Sequence, residues 1–381
     1  MAETLTTKNL SLKDAILLAL RYNPSVKSAE IQRVVDKFNL RLAENALELQ
    51  YALTGSTNYT NTRSSGFTSY STSSNLTPQV NLTTPIGTNF SLTMPNNVTS
   101  SKGVKATYNP ALTLTMTQPL LQGAGTEVSP ASVGLYTARI QEEVNKLSLK
   151  NSVIQVVSQV ISQYMQLVQA ENTIDMQKAS LVKAKATVKQ YEILIKTGRN
   201  PPTDIVQTQA DVASQEVNLQ QSLINLQQAQ QSLLYTLGLD SSMNITVPTT
   251  IRFDDEHVPD LKKSTELALK NNVSYQQQLW NLKVTERQLI VARDQQRWQL
   301  NLQTSSTTGG GSGGGDNASL ESLTNGQNTN NQVGLQLTVP LDNYQVKANL
   351  VRAKVALDQA KINLAGTRRQ IETQVVAAVV N

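Results

Sequence analysis

The sequence predicts a mixed α and β chain in which one pattern of helix, strands and helix occurs twice. Three observations lead to this prediction. A twelve-residue block near the start returns near residue 261, residues 135–197 contain neither Gly nor Pro, and several short segments alternate apolar and polar residues. The first observation indicates a duplication, the second a very long helix, and the third strands with two unlike faces.

The duplication is visible at two separate offsets. The block LKDAILLALRYN at residues 12–23 realigns with LKKSTELALKNN at residues 261–272, an offset of 249. Residues 138–160 realign with residues 353–375, an offset of 215. The smaller second offset arises because the strand region of the first copy, residues 53–134, is longer than that of the second, residues 298–349. We interpret the chain as an internal duplication.

The helical signals place caps and breaks at defined residues. Ser11 is followed three residues later by Asp14, a pattern that caps a helix start. The stretch of residues 135–197 predicts a helix of about 95 Å. The segment GRNPPTD at residues 198–204 interrupts it, and Asp204 is expected to cap a returning helix that forms an antiparallel hairpin.

The returning helix carries two apolar stripes with heptad spacing. The spacing is typical of a coiled-coil seam and equally of a buried bundle core, because heptads indicate contact without indicating its purpose. The first stripe comprises Ile205, Val212, Leu219, Leu226 and Leu233, and the second comprises Ala210, Val217 and Ile224.

Strand signals have one form throughout the chain. Residues 112–117, 298–303 and 333–339 each alternate apolar residues with Thr, Gln, Asn or Gly. A soluble two-layer sandwich gives the same alternation, whereas the long flanking helices and the neutral polar face favour a membrane barrel with a wet interior. Residues 60–74, 96–103 and 305–332 are rich in Ser, Thr, Asn and Gly and are expected to be exposed loops. The glycines at 309–315 (GGGSGGG) fit a natural loop or an engineered linker.

Composition excludes several functions. The absence of Cys excludes disulfides and thiolate sites, and the scattered Lys and Arg residues argue against a nucleic-acid surface. His257, the sole histidine, follows Asp254, Asp255 and Glu256 and is expected to lie in an exposed loop rather than in a metal site. No catalytic motif and no run of 18 apolar residues occurs. We therefore predict no enzyme activity, no cofactor, no metal and no transmembrane helix.

Several motifs taken together resemble one family. The turns QPLLQGAG (residues 118–125) and VPLD (residues 339–342), the opening LSLKDAILLALRYNP (residues 10–24) and the hairpin YEILIKTGRNPPTDIVQTQADV (residues 191–212) are similar to the TolC-like outer-membrane factor family. The similarity extends over nearly the whole chain. No single motif is specific, but their order and repetition are.

The resemblance implies a trimeric outer-membrane β-barrel continued by a long α-helical periplasmic barrel. About four strands would come from each subunit of a twelve-stranded barrel, and an equatorial region would occupy residues 238–260. The expected function is that of a passive exit duct in a Gram-negative outer membrane, serving a tripartite efflux pump or a type I secretion system. Expected partners are two further copies, outer-membrane lipid, and a periplasmic adaptor that leads to an inner-membrane transporter. The transported substrate and the choice between efflux and secretion stay open.

The resemblance also assigns candidate site residues. It implies an adaptor contact at the hairpin tip, which consists of Thr197, Gly198, Arg199 and Asp204. Strand-to-helix turns are expected at Pro119, Gly123 and Pro340, since Pro ends strand pairing. Water-facing strand positions are expected at Thr113, Thr115, Thr117, Gln299, Asn301, Gln303, Gln336 and Thr338.

Three departures from the family pattern accompany these expectations, and one of them is that no signal peptide is visible, as is normal for a mature exported chain. Residues 80–94 predict a hairpin beyond the four expected strands, with Pro85, Ile86 and Gly87 at its turn. The second hairpin tip, which carries the gate in this family, is expected to lie beyond Asn381. The alternatives are a periplasmic adaptor, which requires small lipoyl-type β-domains, and a coiled-coil scaffold, which requires heptads without alternating strands.

The expected segments follow the duplication. They are the first helices (1–50), the first strand region (51–133), the long hairpin (134–237), the equatorial region (238–260), the second helix (261–297), the second strand region (298–342) and the second long helix (343–381).

Overall fold

The computed structural model describes residues 8–64, 66–101, 103–248, 260–309, 323 and 328–380. These residues form two compact units. The first comprises residues 1–34 and 146–260, and the second comprises residues 35–145 and 261–381, within the described ranges.

Groups of helices and groups of strands follow one another along the chain. The helices are α1 (Leu12–Tyr22), α2 (Pro24–Asn45), α3 (Pro130–Lys196), α4 (Asp204–Leu237), α5 (Leu261–Asn271), α6 (Val273–Asp294) and α7 (Tyr344–Val380). The strands are β1 (Lys8–Asn9), β2 (Gln50–Ser64), β3 (Phe67–Thr83), β4 (Asn89–Thr93), β5 (Asn96–Ser101), β6 (Val104–Pro119), β7 (Ile245–Thr246), β8 (Gln299–Gly309) and β9 (Thr329–Thr338). None of the described helices is long and apolar enough to cross a membrane.

The core of the first unit lies where α1 and the helical hairpin of α3 and α4 meet. Leu167, Leu233 and Leu237 are fully buried there, together with Ala15 and Ala19 of α1. The small Ala side chains let α1 approach α4 closely, so three helices share one apolar cluster. Burial of these side chains is the main stabilising contribution to this unit.

The short parallel pair of β1 and β7 is fastened to α3 by side chains. The buried Tyr164 hydroxyl donates to the carbonyl of Leu10 at 2.8 Å. Burial, and secondly the charge of Glu171, raise the pKa of Tyr164. Burial also raises the pKa of Glu171, with a smaller contribution from Asp175, although the Val247 N–H bonded to it acts the other way. Side chains of one helix thus bond the residues that directly follow each strand of the pair.

The second unit contains a seven-stranded antiparallel sheet. The strand order is β2, β3, β4, β6, β8, β9, and β5 also lies between β3 and β6, beyond the end of β4. Pairing of β6 with β8 joins strands from the two halves of the chain. The outer edges are β2 and β9, all of whose residues are exposed.

The remaining helices of this unit pack on one another. Helix α7 packs against α5 and α6, and the amide of Gln278 on α6 donates to the Thr367 hydroxyl on α7 at 2.9 Å. Asn272 caps α6 by accepting the backbone N–H of Tyr275 at 2.9 Å. This Asn occupies the position that Asn23 holds before α2, 249 residues earlier.

Several predictions about helices are confirmed. Ser11 caps α1 by accepting the Asp14 N–H, and residues 135–197 lie in α3 except for Thr197, which follows it. The expected cap at Asp204 is wrong: Thr203 precedes α4 without a side-chain cap, and Asp204 lies in the first turn. Asp204 is itself the first helical residue, and its carboxylate accepts the side-chain amide of Asn200 at 3.1 Å.

The heptad stripes of α4 have different environments. The first stripe is half-buried or buried along its length, and Leu233 is fully buried. The second stripe is exposed, with Val217 at 67% and Ile224 at 49%. One helix face therefore packs within the unit while its neighbour does not.

The strand predictions need two corrections. The described parts of the expected loops at 60–74, 96–103 and 305–332 are mostly strand, because Ser and Thr pair there across neighbouring strands, as in Thr57 opposite Ser74. The count of four strands is too low, since the sheet has seven. The predicted additional hairpin is present as β3 and β4, with Val80 opposite Leu92 and Gly87 at φ +95°. His257, its acidic neighbours and residues 310–315 lie outside the described residues.

Replacing Asn23 with Ala is expected to cost more stability than replacing its counterpart Asn272. Asn23 accepts the N–H groups of Ser25 and Val26 and donates to the buried carbonyl of Thr236 at 2.6 Å. Asn23→Ala removes a cap and a buried long-range bond, about 2–3 kcal/mol, whereas Asn272→Ala removes a cap, about 1 kcal/mol. Thermal unfolding of the two purified variants, followed by circular dichroism, measures the difference. Equal losses would contradict the assigned role of the Thr236 contact.

Candidate functional site

The main functional candidate is the sheet of the second unit, whose two faces differ in chemistry. We call the face that carries Thr115 the polar face and the face that carries Leu114 the apolar face. Strand register fixes both across the sheet, because paired residues lie on the same face.

All eight strand positions predicted to face water lie on the polar face. Thr117 pairs with Gln303, Asn301 pairs with Gln336, and Gln299 pairs with Thr338. Thr113 lies opposite Thr307, and their hydroxyls are 3.1 Å apart. The polar face continues over the earlier strands with Thr54, Ser56, Asn58, Ser73, Asn75, Thr77, Gln79, Asn97 and Thr99. Every residue in this set is uncharged.

The apolar face is exposed. Leu53 on β2 is 68% exposed, Leu114 on β6 48% and Leu335 on β9 67%. Within the described part of the chain, no second sheet packs on this face. Other apolar side chains of the same face are Tyr51, Leu76, Val80, Phe90, Leu92, Leu112, Met116, Leu300, Leu302, Val333 and Leu337.

The first strand-to-helix turn lies at the end of β6. Pro119 is the last residue of β6, opposite Asn301. The Gly123 N–H donates to a carboxylate oxygen of Asp294 at 2.6 Å, and φ of +79° at Gly123 suits a residue without Cβ. Asp294 is 8% exposed and also pairs with Arg297 at 3.2 Å. The turn is thereby bound to the C-terminal end of α6.

The additional hairpin packs on this turn. The hydroxyl groups of Ser129 and Ser132 both donate to the carbonyl of Pro85 at 2.7 Å. A Cβ on Gly87 would lie 2.7 Å from the carbonyl oxygen of Gly123, so this position accepts no side chain without rearrangement. The additional hairpin and the start of α3 consequently form one packed junction.

The second strand-to-helix turn lacks such packing. Pro340 follows the end of β9 and is exposed, and Leu341 beside it is 99% exposed. The two proline turns are therefore alike in sequence and different in surroundings.

The hairpin tip ends α3 with two nested hydrogen bonds. Gly198, at φ +72°, donates its N–H to Ile195, and Arg199 donates its N–H to Leu194 at 2.9 Å. This is a Schellman arrangement, for which a left-handed glycine is suited. Thr197, Gly198 and Arg199 are exposed, and Asp204 is half-buried. The four predicted tip residues thus lie in one compact turn.

Sequence reasoning missed several residues that shape these sites. Asp294, Ser129 and Ser132 act through backbone contacts with residues far away in the sequence, and a single sequence carries no signal for such contacts. Ser305 and Gln332 were predicted to lie in a loop, although the alternation of the neighbouring strand segments continues through them. Extending that alternation would have placed both residues in strands.

Replacing Gly198 with Ala is expected to loosen the tip. An L-residue in the left-handed conformation costs about 1 kcal/mol, so exchange of the Arg199 N–H with solvent should become about fivefold faster. Gly366→Ala in α7 is the matched control, since a Cβ there meets nothing within 4 Å, and it should leave tip exchange unchanged. Unaltered exchange at Arg199 in Gly198→Ala would contradict the assigned conformation.

Replacing Asp294 with Ala is expected to destabilise the first turn by about 2 kcal/mol. The change leaves the Gly123 N–H without its acceptor, and bonds to charged groups contribute more than neutral ones. Asp294→Asn keeps an acceptor oxygen and should lose less. Denaturant unfolding of the two variants compares them, and identical losses would show that the Gly123 contact is unimportant.

Several solved structures are similar to this chain. No protein-family model and no curated protein sequence matches the chain. The outer membrane protein VceC from Vibrio cholerae has a TM-score of 0.65 at 16% identity, with 94% of this chain and 75% of that chain covered. The CmeC outer membrane channel of Campylobacter jejuni has the same TM-score and identity, with 100% and 76% covered.

A third solved structure, the MtrE outer membrane channel of Neisseria gonorrhoeae, gives a TM-score of 0.66 at 14% identity, with 97% of this chain and 72% of that chain covered. At such identities the likeness establishes the fold. The resemblance found in the sequence motifs is confirmed at that level: the chain has the fold of the TolC-like outer-membrane channels.

Proposed function

We propose that this chain is one subunit of a trimeric outer-membrane exit duct, which conducts solutes passively for a tripartite efflux pump or a type I secretion system. The observation that carries the proposal is the sheet with an exposed apolar face opposite an uncharged polar face. An apolar sheet face of this extent is unfavourable in water unless something covers it. Lipid on one side and water on the other match the two faces.

The sheet edges favour a closed assembly of several copies. Both β2 and β9 have fully exposed residues, and β2 is 15 residues long. A long unpaired edge is prone to uncontrolled pairing unless another strand covers it. Pairing of β2 from one copy with β9 from the next closes a barrel without a free edge, and three copies give the trimer implied by the family resemblance.

Helix boundaries support the internal duplication. Helices α1 and α5 begin at residues 12 and 261, and α2 and α6 end at residues 45 and 294, so each pair differs by 249. The members of each pair are also equal in length, at 11 and 22 residues. We infer that an ancestral unit of helix, strands and helix was copied, and that the additional hairpin lengthened the first copy.

The tip of the α3–α4 hairpin is the proposed contact with a periplasmic adaptor. Thr197, Gly198 and Arg199 are exposed at the turn, and Asp204 stabilises it through Asn200. Lys185 and Glu216 form an ion pair across the hairpin at 2.9 Å, half-exposed on both sides, which adds little stability. An energised transporter would act on the duct through this end.

The alternatives explain less of the structure. A coiled-coil scaffold accounts for the heptads of α4 but gives no reason for a seven-stranded sheet with an exposed apolar face. A periplasmic adaptor accounts for the helical hairpin but not for the large sheet that joins both halves of the chain. The channel accounts for hairpin, sheet and exposed edges together.

Cysteine substitution tests the proposal on a clean background, because the chain contains no Cys. In bilayers containing protein extracted from outer membranes, a charged, water-soluble thiol reagent should lower the conductance of Thr115→Cys. The adjacent Leu114→Cys, on the apolar face, is the matched control and should not respond. Single-channel recording measures both.

The outcomes separate two kinds of failure. Folded protein that never conducts would refute the duct. Conductance that responds at Leu114 and not at Thr115 would reverse the assignment of the two faces.

A further inference from the structure

The polar face contains a gap beside Gly334 of β9. Two rows of paired residues surround it: Thr117, Gln303 and Gly334 in one row, and Thr115, Ser305 and Gln332 in the next. These six residues, with Met116 and Thr304, line a concavity of about 360 Å³. Because Gly334 has no side chain, the row of side chains along β9 is interrupted between Gln332 and Gln336.

The Gln303 side chain is held away from the second row. Its amide N–H donates to the side-chain oxygen of Gln336 at 2.7 Å. The bond places the amide on the Gln336 side of the gap and leaves its oxygen and its second N–H able to bond a guest. One side of the gap is therefore formed by two side chains bonded to each other.

The lining offers hydrogen-bonding groups and no charge. The Thr115 hydroxyl donates to the Ser91 carbonyl at 3.3 Å and can accept from a guest. The hydroxyls of Thr117 and Ser305 and the amides of Gln303 and Gln332 are of types that both donate and accept. The seven strands of the sheet contain two charged residues, Arg63 and Lys105, and no acidic residue. A charged guest would lose hydration without gaining an ion pair from the strands.

We propose that this gap is a subsite for an uncharged solute rich in hydroxyl or amide groups, of the size of one or two sugar rings. The site needs the polar face to be open to water. Its role during transport rests on the proposed function, whereas binding itself does not.

The chemistry of the lining matches such a guest. Neutral groups that both donate and accept can pair with a polyol in many orientations, which suits a molecule that passes through. The volume lies near the lower end of known ligand sites. Among the described residues, no aromatic side chain lines the gap, so ring stacking adds nothing and the affinity is low. Low affinity suits a conduit, because a bound solute must also leave.

Gly334 allows a direct test. Its φ is not in the left-handed region, and a Cβ there meets nothing within 4 Å. Gly334→Gln therefore fills the gap without straining the strand. Asn330→Gln, on the same strand and the same face but outside the gap, is the matched control.

The experiment measures binding of four trisaccharides to detergent-solubilised protein by ligand-observed NMR. Maltotriose carries hydroxyls, chitotriose adds neutral acetamides, the glucosamine trimer is cationic and the galacturonate trimer is anionic. We expect a neutral trimer to bind the unaltered protein more tightly than either charged one. Gly334→Gln should weaken that binding by about fivefold or more, as expected for the loss of at least one hydrogen bond, and Asn330→Gln should not.

The measured affinities either support the subsite or overturn it. Absence of neutral-trimer binding, equal binding by Gly334→Gln and the unaltered protein, or tighter binding of a charged trimer would overturn the subsite. A difference in affinity between maltotriose and chitotriose shows whether the site binds hydroxyl or acetamide groups. Loss of binding in Gly334→Gln from a protein that does not conduct would support the subsite while refuting the duct.

Discussion

The pairing of β6 with β8 is the contact on which the rest of the second unit depends. It joins a strand of the first half of the chain to a strand of the second half, with Ala111 opposite Gly309 at one end and Pro119 opposite Asn301 at the other. Pairing does not stop at Pro119. The N–H groups of Leu120 and Gln122 continue it by donating to the carbonyls of Leu300 and Trp298, and Asp294 receives the next free donor.

This continuation explains why a proline is tolerated at the end of β6. Proline has no N–H and ends a regular ladder, yet the chain still has to reach α3 while its backbone groups stay paired. The Asp294 carboxylate and the turn of the additional hairpin satisfy this requirement. At Pro340 the chain is exposed, so water can form hydrogen bonds with the backbone N–H and C=O groups. The first turn is consequently held by contacts within the protein, whereas the second turn is exposed to solvent.

The sequence predicted those features that local rules determine. Alternation placed all eight polar positions on one face, the Gly- and Pro-free stretch gave α3, and Pro85 with Gly87 gave the additional hairpin. The sequence-based predictions failed where tertiary contacts override a local preference. Ser- and Thr-rich segments were predicted to be loops, but cross-strand partners such as those in β2 and β3 make them strands. The cap at Asp204 failed because the helix begins at Asp204 itself, which places this residue in the first turn. The Asp294 contact with Gly123 spans 171 residues, beyond the reach of any local pattern.

The distribution of charge connects the sheet with its proposed role. Lys, Arg, Asp and Glu make up 16% of the chain, yet the strands carry almost none of them, so the charged groups belong chiefly to the helices and their connections. If the apolar face lies against lipid, as proposed, a charged residue there would be costly, which accounts for the depletion on that face. It does not explain the polar face, where water would tolerate charge. Neutral groups on that face make sense if solutes of different charge must pass, because fixed charges would retain one sign and repel the other. Hydrogen bonds would then be the means by which the strands distinguish one solute from another, and the missing side chain at Gly334 is where we propose that part of this surface becomes a site.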